Sequence, residues 1–196
     1  MSALIEKDFD FQAGVYFQNN FVLNTYSITL AIDVNTDSIA EQNVAMERIK
    51  YLVYECFESC IFVDEAEAEI IKKYNDVGLK VCTLPDEPYD QIVALIVILK
   101  LNAVCESRLR IEEIVLTSKL SDDIRFKERL ETAQENFKGN SWYHDVTPNI
   151  VSNKKDKKDK DKIVKIKNNE WKSIGLLWNE PAKKSTEIIF NIDPEK

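Results

Sequence analysis

The residues in this chain that could hold a metal ion are four cysteines and one histidine. Cys56, Cys60, Cys82 and Cys105 lie inside apolar periodic segments without C-x-x-C spacing, and only the first two would share a helix face. His144 has no second histidine to share a metal with. Protein zinc sites use several thiolate, imidazole or carboxylate ligands. The set therefore predicts buried thiols in a reducing compartment and a packing or surface histidine, with no metal centre.

The motifs of common catalytic and nucleotide-binding sites are missing from the sequence. There is no P-loop, G-x-G-x-x-G, G-x-S-x-G or EF-hand loop, and four glycines are few for a phosphate cradle. The longest apolar run, residues 92–99, is much shorter than the ~20 residues of a membrane span. The first residues lack the basic and apolar regions of a secretory signal. We therefore expect a cytoplasmic protein without a membrane partner.

Charge is distributed unevenly along the chain, whose formal net charge is −8. The run KKDKKDKDK at 154–162 contributes +3 and residues 163–196 contribute +1, so residues 1–153 carry −12. An acidic body repels a phosphate backbone, and we expect no nucleic-acid partner. The lysine-rich run predicts a charged, solvated linker over 154–168. An arm that seeks phosphates or acids is the alternative.

The elements that must position any site begin with a hairpin. Aromatic and β-branched residues alternate with polar or small ones over 7–17 and again over 22–34, with a Gln-Asn-Asn cluster between them. Alternation of period two on both sides of such a cluster predicts two antiparallel strands. We expect the buried face of this hairpin to include Phe9, Phe11, Ile28 and Leu30.

Three helical segments follow the hairpin. Ser38 and Glu41 have capping-box spacing, and an apolar stripe then runs to residue 60. A second helix is predicted over 65–75, followed by a short extended piece over 79–84. Residues 88–104 are apolar on most sides, and their length favours a buried helix, although their β-branched content would also allow a strand.

A second hairpin is predicted over 110–120 and 123–130, and a helix that starts at 121–123 is the alternative. The predicted fold is α+β, in the order β-β-α-α-β-β, with an antiparallel sheet backed by two helices.

The first hairpin resembles that of the 6-pyruvoyl-tetrahydropterin and 6-carboxy-tetrahydropterin synthases, which have the tunnelling fold or T-fold. Their first strand ends in F-x-F-x-A-A-H and their second opens with H-G-H-[SN]; here the matching segments are FDFQAGV at 9–15 and NTYS at 24–27. The zinc-binding histidines of the family fall on Val15, Asn24 and Tyr26. Valine has no lone pair, and asparagine and un-ionised tyrosine are poor zinc ligands. The resemblance therefore implies a T-fold scaffold without zinc or another cofactor.

The resemblance implies the positions of the remaining family residues as well. An Asp-His pair that assists proton transfer falls on Glu58 and Ser59, and the glutamate that anchors the pterin falls on Thr117. The catalytic cysteine has no counterpart in the short turn between the strands. T-fold proteins oligomerise by joining their sheets, so we expect a non-catalytic homo-oligomeric assembly or interaction module. A diverged enzyme of the pterin/7-deazaguanine branch and an unrelated α+β binding protein are the alternatives.

Beyond the T-fold-like domain at 1–130, the sequence predicts an ordered extension over 131–153 and, after the linker, a docking tail over 169–196. The tail carries an apolar group that would expose several hundred Å² if left free: Trp171, Leu176, Leu177 and Trp178. We expect this group to bind the body, a neighbouring subunit or a protein partner. The closing run 185–192 could add an edge strand.

Overall fold

A computed structural model describes residues 4–139, 141–151 and 170–178. The predicted linker and the closing run lie outside these residues. The strands are β1 (Leu4–Phe17), β2 (Asn20–Val34), β3 (Ile61–Asp64), β4 (Val81–Leu84), β5 (Leu109–Ser118) and β6 (Phe126–Arg129). The helices are α1 (Ile39–Tyr51), α2 (Ala68–Asp76), α3 (Asp90–Cys105), α4 (Leu130–Asn136) and α5 (Trp171–Ile174). They form an α+β fold around one mixed sheet of order β4-β3-β1-β2-β5-β6.

The first hairpin is confirmed. β1 and β2 pair without interruption from Leu4↔Asp33 to Phe17↔Asn20. Gln18 and Asn19 connect them with φ angles of 47° and 62°. Positive φ at both central residues of a two-residue turn matches the right-handed twist of the strands. The core face includes Phe9, Phe11, Ile28 and Leu30, as expected.

Only half of the predicted capping box forms at the start of α1. The Ser38 hydroxyl accepts a hydrogen bond from the Glu41 backbone N–H at 3.4 Å. The Glu41 carboxylate instead accepts from the Thr36 hydroxyl at 2.8 Å. After α1 the chain continues as a π-helical segment, Leu52–Phe57, whose apolar side chains complete the predicted stripe over the sheet.

The order β-β-α-α-β-β is wrong, because β3 was missed and the predicted extended piece over 79–84, which contains β4, was not counted as a strand. β3 pairs with β1 and β4 with β3, both in parallel, so only β1, β2, β5 and β6 form the expected antiparallel sheet. All four residues of β4 are buried, as are three of the four in β3. Strands that are covered on both faces show no alternation of polar and apolar residues, so the sequence pattern that marks a half-buried strand is missing from these two segments.

The helices lie on both faces of the sheet. α1 and α3 contribute to the main core, which includes Phe11 and Phe62. α2, which begins three residues later than predicted, lies on the other face: Ile70, Ile71 and Tyr74 pack against a smaller cluster. That cluster consists of Tyr16, Ile61, Val63 and Val81. α2 therefore covers the second face only where β1 ends beside β3 and β4.

The second hairpin is confirmed, with a shorter second strand. β6 pairs antiparallel with β5 over Phe126–Arg129. The segment before it turns instead of extending, with Asp122 and Asp123 at positive φ. The alternative helix begins later, as α4 at Leu130.

The long apolar segment is a helix, α3, which is buried on several sides. Its one lysine, Lys100, is 0% exposed and donates hydrogen bonds to the carbonyls of Trp142, Asp145 and Thr147 at 2.6–2.9 Å. Burial lowers the pKa of Lys100 to about 8. These bonds fasten the chain after α4 to the core. His144 packs there and bonds the Phe137 carbonyl at 2.8 Å through Nε2.

The four cysteines are free and buried, as expected. Within the described residues, no helix is both long enough and apolar enough to cross a bilayer.

Candidate functional site

A cavity of about 670 Å³ opens where the turn end of the first hairpin meets the N-terminus of α3. Four aromatic side chains contribute to its lining: Phe17, Tyr26, Tyr89 and Phe126. Phe17 and Tyr89 pack edge to face, with ring centroids 5.1 Å apart. Aliphatic walls and a few polar groups complete a pocket of the size and composition typical of small-molecule sites.

Two of the three positions matched to the zinc histidines line this cavity. Val15 and Tyr26 lie on the core face of the hairpin and border the pocket. Asn24 is 3% exposed, and its side-chain oxygen accepts from the backbone N–H groups of Leu120 and Thr25 at 3.1 and 2.9 Å. Asn24 therefore anchors the loop after β5, and Val15 supplies apolar wall. Neither side chain offers metal chemistry.

The Tyr26 hydroxyl is buried without a hydrogen-bond partner among the described residues, and so is the Asn24 amide nitrogen. Burial raises the pKa of Tyr26, and the interaction of its hydroxyl with the Asn24 side chain offsets only part of this effect. Tyr26 is thus a neutral phenol at physiological pH. Because the hydroxyl is shielded from solvent, Tyr26 contributes apolar surface to the cavity and not a hydrogen-bonding group.

The sequence reasoning missed the polar centre of the cavity, which is Asp90. One carboxylate oxygen, Oδ2, accepts from the hydroxyls of Ser118 and Ser121 at 2.6 and 2.5 Å. No described residue is hydrogen-bonded to the other oxygen, Oδ1. Beside Asp90, Gln91 donates to the buried carboxylate of Glu128 at 2.8 Å. An acid in the first turn of α3 was the available signal, but first-turn acids are common because they suit the helix dipole.

The remaining family positions are not brought together with this cavity. The Glu58 carboxylate accepts from the Gln12 backbone N–H at 2.8 Å, beside the outer edge of β1. Ser59, at φ 59°, makes the turn into β3 and lines a different cavity. Thr117 pairs with Ser27 on the opposite face of the sheet, so its neighbour Ser118 is the residue that points towards Asp90.

The described part of the tail packs on the body around Arg48. This arginine is 1% exposed and belongs to α1. Its guanidinium carbon lies 4.6 Å from the Trp171 ring centroid and 3.7 Å from that of Trp178. Such stacking of a guanidinium on aromatic rings is favourable. We call Arg48, Trp171, Trp178 and their bonded partner Glu106 the arginine clasp.

Hydrogen bonds complete the arginine clasp. Arg48 donates to the carbonyls of Leu176 and Val104, each at 3.0 Å, and to the Glu106 carboxylate at 2.8 Å. The same carboxylate oxygen accepts from the Trp178 indole at 3.0 Å. Burial lowers the pKa of Arg48, while Glu106 opposes that shift. Trp171 is buried, and Trp178, Leu176 and Leu177 are half-buried against the main core.

The sheet face opposite the main core is open along β2, β5, β6 and the first half of β1, within the described residues. Its charges are unevenly distributed. β1 places Glu6, Asp8 and Asp10 on this face, and β6 places Lys127 and Arg129 there, since paired residues across a sheet share a face. β5 adds Glu113, whose carboxylate pairs with Lys127 at 2.7 Å and with Arg129 at 3.8 Å. The β1 side of the open face is therefore acidic, and the β6 side is weakly basic.

The first half of β1 also has an open edge. On the side of β1 away from β2, the Gly14 backbone N–H donates to the Cys60 carbonyl at 2.8 Å. β3 pairs with β1 on this outer side only at Gly14 and Val15. N–H groups alternate between the two sides of a strand. Those of Glu6, Asp8 and Asp10 therefore point to the same outer side, where no described strand pairs with them.

No cluster of metal-ligating side chains occurs among the residues that the structure describes. Comparison with known proteins identifies no family, since no family model and no curated protein matches the chain. A solved structure, an uncharacterized protein WS1659 from Wolinella succinogenes, overlaps 66% of this chain and 98% of its own at 8% identity and a TM-score of 0.49. A likeness this weak identifies neither a fold family nor a function.

Proposed function

We propose that this protein is a non-catalytic, T-fold-like assembly module whose sheet joins the sheet of a second copy. The observation that carries the proposal is the open sheet face, which is acidic on the β1 side and weakly basic on the β6 side, where Glu113 offsets one of the two positive charges. Opposite charges at the two ends of one surface are complementary between copies placed head to tail.

The free backbone groups support the same arrangement. The outer side of β1 up to Asp10 and the outer side of β6 both lack a strand partner among the described residues. Native proteins pair, cover or charge such edges. Addition of β6 of one copy to β1 of the next would pair these groups and bring Lys127 and Arg129 towards Asp8 and Asp10.

The T-fold part of the proposal is supported by the resemblance of the first hairpin and by four strands, β1-β2-β5-β6, in consecutive antiparallel order. The non-catalytic part is supported by Val15, Asn24 and Tyr26, which fill the expected ligand positions with groups that do not bind zinc. The free buried thiols fit the reducing cytoplasm.

Charge reversal tests the proposal. Sedimentation velocity at micromolar concentration should show wild-type self-association that weakens as salt is raised. The double variant Lys127→Glu/Arg129→Glu should dissociate, because two acidic surfaces would then meet. The control Lys72→Glu/Lys73→Glu makes the same charge change on the exposed side of α2 and should leave the association unchanged.

Restoration by a second reversal makes the test specific. Adding Asp8→Lys/Asp10→Lys to the β6 variant exchanges the signs of both sides and should recover the oligomer. A monomeric wild-type protein, or dissociation that the second reversal does not repair, would refute association through these two edges.

A further inference from the structure

The cavity beside α3 carries a second inference, which rests on residues other than those of the proposed self-association. We infer that this cavity binds a small organic ammonium ion with an apolar body. Three features of the wall specify this class of ligand: its single charge, the open acceptor of that charged group and its aromatic rings.

The charge of the wall excludes anions. Asp90 is the one carboxylate or cationic side chain among the residues that line the cavity. Glu128 lies directly behind Gln91 and adds a second negative charge. An anionic ligand would meet these carboxylates with no cation to balance it, whereas an ammonium ion would supply the missing charge. The acidic body also raises the local concentration of cations.

The hydrogen-bonding groups point to an N–H donor. Asp90 Oδ2 is occupied by Ser118 and Ser121, and Oδ1 has no described partner. An ammonium group has N–H bonds to donate to this carboxylate oxygen, and such a charge-assisted hydrogen bond is strong. The ligand would therefore satisfy the acceptor that the described protein leaves open.

The aromatic side chains suit the same cation. Phe17, Tyr26, Tyr89 and Phe126 line the same cavity as Asp90, and the faces of aromatic rings attract ammonium ions. Val15, Val22 and Leu120 provide an apolar wall for the rest of the ligand. A volume of about 670 Å³ suits a small molecule with an apolar body better than a single lysine side chain.

Three probes with the same body and different charges test this assignment by calorimetric titration of the full chain. These are 2-phenylethylammonium, the neutral 2-phenylethanol and the anionic phenylacetate. The ammonium should bind at least about tenfold more tightly than the alcohol, and phenylacetate should not bind. Equal binding of the ammonium and the alcohol would overturn the inference, because the pocket would then be merely apolar. No binding of the ammonium would overturn it as well.

Variants place the binding in this cavity. Asp90→Asn keeps an oxygen for the two serine hydroxyls, and should reduce ammonium affinity about tenfold while leaving alcohol affinity unchanged. Tyr89→Leu removes a ring that is 53% exposed, so the fold should tolerate it, and should weaken ammonium binding several-fold. Asp76→Asn removes a remote exposed carboxylate and controls for net charge.

Two results decide the remaining alternatives. Loss of affinity in Asp76→Asn equal to that in Asp90→Asn would show that the ammonium responds to overall charge, which would refute the site. N-acetyl-lysine amide carries the same ammonium on a flexible stem. If it bound more tightly than 2-phenylethylammonium, the site would be one for a protein lysine, and the small-molecule assignment would be wrong.

Discussion

The arginine clasp predicts a large and specific loss of stability when Arg48 is replaced. Arg48→Met keeps an unbranched apolar stem of similar reach but removes the guanidinium. The Val104 carbonyl then loses a buried donor, the Glu106 carboxylate loses its closest cation, and two indole rings lose their stacking partner. Removal of one member of a buried ion pair typically costs ~3–5 kcal/mol. Because Glu106 is 31% exposed, we expect the lower end, ~3 kcal/mol.

Arg108→Met is the matched control. The Arg108 guanidinium lies 4.3 Å from the same Trp178 ring and donates to the Glu106 carbonyl at 3.0 Å. Its side chain is 28% exposed, however, and its ion pairs with the Glu41 and Glu106 carboxylates are longer, at 3.8 and 3.7 Å. Partly exposed pairs contribute little, so we expect a loss of at most ~1 kcal/mol. The comparison separates the buried hydrogen bonds of Arg48 from stacking on Trp178.

Urea denaturation followed by tryptophan fluorescence measures both losses, since two of the three tryptophans in the chain belong to the arginine clasp. Arg48→Met should also shift the native emission to longer wavelength, because Trp171 and Trp178 would become hydrated. The double variant Arg48→Met/Trp178→Ala should cost less than the two single changes together, by ~1 kcal/mol or more. A loss below ~1 kcal/mol for Arg48→Met, or strict additivity in the cycle, would refute the arginine clasp as the device that holds the tail.

Three further predictions follow from buried groups and from the substituted zinc positions. Phe11→Ala should cost ~3–5 kcal/mol in denaturant melts, because the ring is 2% exposed and stacks on Tyr26 at 5.1 Å; a loss under ~1 kcal/mol would contradict its core position. Protein purified without chelator should hold no stoichiometric zinc by elemental analysis, since Val15, Asn24 and Tyr26 provide no imidazole; a value near one zinc per chain would overturn the non-catalytic proposal. Burial raises the pKa of the Cys105 thiol from 9.0 to about 12. Between these pH values only the unfolded chain loses the thiol proton, so the free energy of unfolding falls as pH rises. In urea melts from pH 9 to 11, Cys105→Ala should show a shallower fall than the wild type, and identical slopes would argue against a buried thiol.

The two antiparallel hairpins could be predicted because their information is local. In β1 and β2, one face packs on the core and the other meets water, so alternation in the sequence reports burial directly. The long helix α3 could be predicted from length, since an apolar run of this size exceeds an ordinary strand. The buried, free cysteines followed from their apolar surroundings and their spacing.

The parallel part of the sheet could not be predicted in the same way: β3 gave no signal, and β4 was predicted only as an extended piece. β3 and β4 are four residues each, and burial on both faces removes the alternation that marks a strand. Their pairing with β1 depends on contacts across almost fifty positions of the chain, as in Gly14↔Ile61. No local pattern in the sequence records a contact at this separation.

The same distinction between local and long-range information applies to the candidate site. Residue types alone are enough to exclude a zinc centre at Val15, Asn24 and Tyr26, because ligand chemistry belongs to the side chain. The folded chain was needed to bring Asp90 and Tyr26 to one cavity and to place Thr117 on the opposite face from its neighbour Ser118. A one-residue step along a strand reverses the face, while the approach of α3 to β2 depends on the whole core.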